Sequence, residues 1–110
     1  MEPNRRRYPR TEVNIVVDFA VLYTPTPITD QGLLRVLSGG GVFVEVDENY
    51  PLGTVVRLQF KLPGEDEDVR CHGGVCYSVE GQGLGLESLD ISPDDRDRLM
   101  IFVDRQTSDT

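Results

Sequence analysis

The stretch VNIVVDFAVLY at positions 13–23 decides the architecture. Val13, Ile15, Val17, Phe19, Val21 and Tyr23 occupy its odd positions, while Asn14 and Asp18 fall on even ones. Successive side chains of an extended chain point to opposite faces, so this alternation describes one long, half-buried strand. Thr24-Pro25-Thr26-Pro27 ends it, because proline has no N–H to give to a ladder. A loop is expected through Asp30.

Working outward, the pattern repeats. Positions 32–37 (GLLRVL) read as a second strand, and Ser38-Gly39-Gly40-Gly41 as a tight turn whose glycines are free to take positive φ. Positions 42–46 place Val42, Val44 and Val46 on one face. Positions 54–62 turn Val56, Leu58, Phe60 and Leu62 inward, and positions 69–79 group Val69, Cys71, Val75 and Tyr77. Positions 83–88 turn Leu84 and Leu86 inward, and the acidic run 65–68 (EDED) reads as a solvated hairpin tip. Six short strands with turn signals between them suggest a small antiparallel barrel or sandwich.

The period then changes. Ser92 is a good N-cap, Pro93 suits the first helical position, and Asp94 and Asp95 complement the positive end of the dipole. Leu99, Phe102 and Val103 fall on one helical face with Met100 beside them, and Asp94 is spaced i,i+4 from Arg98. An amphipathic helix over 93–105 must cover something apolar, and the barrel supplies it. The resulting organisation is a basic segment at 1–12, a single folded unit at 13–105 and a polar tail at 106–110.

With 110 residues the chain has room for one domain, and with no Trp its core is built from Val, Leu and Ile. The net charge of −8 argues against a general DNA or RNA binder. No apolar run is long enough to span a bilayer, and MEPNRRRYPR has no apolar stretch behind it, so neither membrane insertion nor secretion is expected. A cytoplasmic location follows as the default. Charge is uneven, however. Arg5, Arg6, Arg7 and Arg10 against Glu2 make the first ten residues +3, which leaves −11 on the remaining hundred. Arginine's planar fork binds phosphate in two places and stacks on flat rings, although a basic tail can also serve solubility alone.

Catalytic and metal chemistry find no support. His72 is the sole histidine, lies opposite in parity to Val69 and Cys71, and has no orienting partner nearby in sequence. Cys71 and Cys76 are five apart on one strand, so they face opposite ways and cannot bridge; with His72 they lack zinc-site spacing. Gly81-Gln82-Gly83-Leu84-Gly85 precedes strand residues instead of opening a helix, so it is not a dinucleotide fingerprint. Ser38 has no nameable base, and the glycines after it lack the Lys-Ser/Thr ending of a phosphate loop.

Three features remain together: RRRYPR at 5–10, with Arg6 and Arg10 in an Arg-x-x-x-Arg spacing; LSGGGV at 37–42; and GLGLESLDISPDDRDRLMIFV at the end of the chain. In this order the chain resembles a PilZ domain over nearly all of 5–105. The resemblance implies a six-stranded antiparallel β-barrel with a C-terminal helix, binding the bacterial second messenger cyclic di-GMP and needing no cofactor or metal. It implies Arg5, Arg6 and Arg10 as ligand contacts, and Ser38 and Gly41 from the Asp/Asn-x-Ser-x-x-Gly motif. The first position of that motif is Val36, which has no polar group and departs from the pattern.

Two readings follow. In one, the protein is a stand-alone cyclic di-GMP receptor whose N-terminal segment orders on binding and whose new surface is read by an unknown downstream protein, as in control of motility or surface properties. In the other it is a ligand-independent adaptor of the same fold, which Val36 favours and the intact arginines oppose. Anionic-surface binding through Arg5 to Arg10 is a third, disfavoured by the net charge. A monomer or weak homodimer is expected.

Overall fold

The computed structural model describes residues 10–26 and 28–107. Six strands and one helix follow in order: β1 (Arg10–Val21), β2 (Ile28–Ser38), β3 (Gly41–Glu45), β4 (Val55–Lys61), β5 (Asp68–Val79), β6 (Gly83–Ile91) and α1 (Pro93–Thr107). The strands close into a barrel in the order β1-β2-β3-β6-β5-β4, and β4 pairs back onto β1. Every pairing is antiparallel. The choice left open between barrel and sandwich is thus resolved as a barrel.

Alternation built the inside as expected. Ile15, Val17, Phe19 and Val21 of β1 pack with Val56, Leu58 and Phe60 of β4, Val69 and Val75 of β5, and Leu84 and Leu86 of β6. One end of the barrel is covered by α1, whose Leu99 and Val103 join this core with Phe102 packed beside them. Tyr50 packs against the core half-buried, its ring edge-on to Phe19 at 5.9 Å between centroids. Burial pushes the Tyr50 hydroxyl pKa up, and the nearby Asp30 and Glu48 carboxylates add to the shift.

The departures have identifiable causes. Tyr23 does not continue the inward face of β1: it has a φ of 62° and is 89% exposed, because the chain leaves the sheet after Val21. β2 begins at Ile28, inside the expected loop, since Val21 still has that residue as its partner. The register slips between Leu34 and Val36 where β2 meets β3, so Leu34 and Leu37 both point inward although they are three apart. A second slip, between Val75 and Tyr77 on the β5–β6 pairing, sends Tyr77 to the outer face at 50% exposure instead of into the core. Such an extra residue reverses the parity of everything beyond it.

The 65–68 run is also more than a solvated tip. Arg98 of α1 donates to Glu65 Oε1 at 2.7 Å, to the Glu67 carbonyl at 2.6 Å and to the Asp68 carbonyl at 3.2 Å. Its helical partner is Asp95 at 2.7 Å, not Asp94. The Ser92 hydroxyl accepts from the Asp95 N–H at 3.1 Å, as an N-cap should. No helix among the described residues is long and apolar enough to cross a membrane.

Candidate functional site

Arg10 opens β1 directly opposite Ser38, the last residue of β2. From there a groove of about 360 Å³ runs across the outer face of β2, β3, β6 and β5. Two ladder rows form its floor. In the first, Val36 pairs with Phe43, Phe43 with Gly85 and Gly85 with Tyr77. In the second, Arg10 pairs with Ser38, and beyond the turn Gly41 pairs with Glu87. Neighbouring strands are about 4.8 Å apart, so three steps from Arg10 to Glu87 span roughly 14 Å.

The Ser38 hydroxyl is occupied in holding the turn. It donates to the Gly41 carbonyl at 3.1 Å and accepts from the Gly40 and Gly41 N–H groups, each at 3.2 Å. It thereby positions the glycine backbone at the groove's edge. Gly41 is required for a reason other than the one expected. The described glycines with positive φ are Gly53, Gly64, Gly81 and Gly83, so the Gly39 to Gly41 turn does not use that freedom. Instead a Cβ on Gly41 would lie 2.4 Å from the Leu86 carbonyl oxygen, which is backbone and cannot step aside.

Val36 is half-buried and lines the groove, on the outer face because of the slip beside it. The structure therefore gathers Arg10, Val36, Ser38 and Gly41 on one surface. Arg5 and Arg6 lie outside the described residues.

Phe43, Tyr77 and Glu87 belong to the same groove and were missed in the sequence. The Phe43 and Tyr77 rings lie nearly parallel, 25° apart with centroids 6.1 Å apart. Phe43 was findable, since it alternates against Val42 and Val44; Tyr77 was hidden by the slip in β5. Cys76 sits beside them, exposed, its thiol donating to the Gly85 carbonyl at 3.4 Å. Partial burial raises its pKa, and the Glu87 carboxylate raises it further.

Elsewhere, Cys71 turns toward the core, where burial pushes its thiol up to about 11 and the charges of Asp95 and Asp90 contribute. Both cysteines are free. His72 stands on the surface with Nδ1 at 3.5 Å from Asp90 Oδ2. Among the described residues, no three His, Cys, Asp or Glu side chains gather as a metal site requires.

A search of curated protein sequences returned no match. Among solved structures the chain is similar to the Bacillus subtilis inhibitor of motility (MotI/DgrA), with 22% identity and a TM-score of 0.80 over 98% of this chain and 54% of that one. The chain thus spans about half the length of that protein. It is similar to the PilZ domain, with c-di-GMP, of YcgR from Escherichia coli, at 16% identity and a TM-score of 0.71, covering 96% and 94% of the two chains. The PilZ domain of CeSA from a cellulose synthesizing bacterium matches at 20% identity and a TM-score of 0.60, covering 90% and 95%. Likeness at these identities establishes the barrel-and-helix fold. The family model for the PilZ domain matches residues 4–105, from the arginine segment through all six strands and into α1; the chain belongs to the PilZ domain family.

Proposed function

We propose that the protein is a non-catalytic receptor for cyclic di-GMP. The observation that carries this reading is the meeting of Arg10 with the distant Ser38–Gly41 turn at one end of one surface groove. Arginine takes guanine O6 and N7, or a phosphate, in a bidentate pair. Arg6 and Arg5 precede Arg10 closely enough to hold a second point of the same dianion, and the Ser38 turn offers its glycine backbone for close approach. Family membership supports the ligand, as does the presence of c-di-GMP with the YcgR domain. Acting in the cytoplasm as a monomer or weak homodimer, the bound form presents a changed outer face to a partner protein. The likeness to an inhibitor of motility favours motility as the process controlled.

Isothermal titration with cyclic di-GMP, with GTP and a short DNA duplex as controls, tests this. Selective binding of the dinucleotide is expected. No heat at low salt with protein and ligand near about 100 μM, roughly −5.5 kcal/mol of affinity, rejects it. That result would leave the second reading, a ligand-independent adaptor, which the apolar Val36 in the groove favours.

A further inference from the structure

The groove contains a carboxylate that a receptor for a dianion does not need for charge. Glu87 is exposed and lies on β6 opposite Gly41, and among the described residues its carboxylate makes no hydrogen bond or ion pair. A negative charge here repels phosphate, so its presence calls for another role. Two residues back on the same outer face is Gly85, where three ring carbons of Tyr77 occupy the space a Cβ would fill, the nearest at 2.1 Å. The Tyr77 ring therefore lies across β6, nearly parallel to Phe43, and leaves half its surface open. Residues two apart on a strand are about 7 Å apart, which puts the carboxylate within reach of the edge of a base resting on those rings.

Guanine has two neighbouring donors on its pairing edge, N1–H and N2–H₂. A carboxylate accepts from both, whereas adenine offers one donor beside an acceptor that a carboxylate repels. We propose that Glu87 is the guanine-reading residue of this groove, with the Tyr77–Phe43 shelf beneath the base, and that it replaces the polar side chain missing at Val36. This deepens the receptor reading and rests on it.

The test is titration of the wild-type protein and Glu87→Gln with cyclic di-GMP and with cyclic di-AMP. An amide presents one donor and one acceptor, which suits adenine and not guanine. Glu87→Gln is expected to weaken cyclic di-GMP binding at least about tenfold and to narrow or reverse the preference over cyclic di-AMP. If Glu87 is merely nearby, removing its charge tightens binding of either dianion, so unchanged or tighter cyclic di-GMP binding overturns the proposal while leaving the receptor reading intact. No binding by the wild-type protein overturns both. Tyr77→Ala, which removes the flat ring, is expected to lose about tenfold. A Tyr77→Ala variant that melts as the wild type does and binds equally well removes the shelf from the proposal.

Discussion

Val36 faces the groove, so a polar side chain there meets ligand and water instead of the core. Val36→Asn is expected to tighten cyclic di-GMP binding about five- to tenfold, against a strand-propensity cost of up to ~1 kcal/mol. Titration and a melting curve on the same sample separate the two effects. Arg10→Ala removes a charge-assisted contact worth ~1.5–3 kcal/mol and should weaken binding ten- to hundredfold, with little change in Tm because the side chain is exposed. Gly41→Ala acts through the fold. Its Cβ collides with the Leu86 backbone, and a cost of about 1–3 kcal/mol is expected, read as a lower Tm with binding lost alongside. The same change at Gly85 meets a side chain, the Tyr77 ring, which can swing outward, so it should cost less stability.

Arg98 joins α1 to the β4–β5 hairpin through three acceptors, Glu65 Oε1 and the Glu67 and Asp68 carbonyls. Arg98→Ala is expected to destabilise by about 1–2 kcal/mol, discounted for the exposure of Glu65, lowering Tm by several degrees and leaving ligand affinity within about twofold. In the same hairpin, hydrogen bonds from Lys61 and then Gln59 hold the Asp68 carboxyl below the usual carboxylate range. A depressed folded-state pKa stabilises the fold above the ordinary carboxylate pKa, and that contribution is lost as pH falls through the lowered value. NMR titration should show Asp68 protonating below the usual carboxylate range, and Lys61→Met should move it upward. All six strands and α1 were legible in the sequence, because alternation and capping are local signals carried by residues such as Val17, Phe60 and Ser92. Tyr77 was not. One extra residue in β5 reversed its face, and such a slip is fixed by pairing with β6, a partner the local sequence does not name. Arg10, Val36, Ser38 and Gly41 were placed by motif, whereas Glu87 became visible only once β6 was set beside β3.

Across the whole molecule, a body of −11 carries a first segment of ten residues at +3. A ligand steered by that segment should feel ionic strength, since exposed charges beyond a Debye length of about 8 Å at physiological salt are screened. Cyclic di-GMP affinity is therefore expected to fall several-fold between low and high salt, measured as a series of titrations. The closure of β4 onto β1 has a different kind of consequence. Where Val17–Val21 are paired with Val56–Phe60, the seam leaves no row of free N–H and C=O groups, so no incoming peptide can add a strand there. A protein that reads this seam must recognise side chains, and its specificity will tolerate little sequence drift there. The same seam is a safeguard. Substitutions that part Val17 and Phe19 from Phe60 and Leu58 would uncover two adhesive edges at once, and self-association would follow before unfolding was complete.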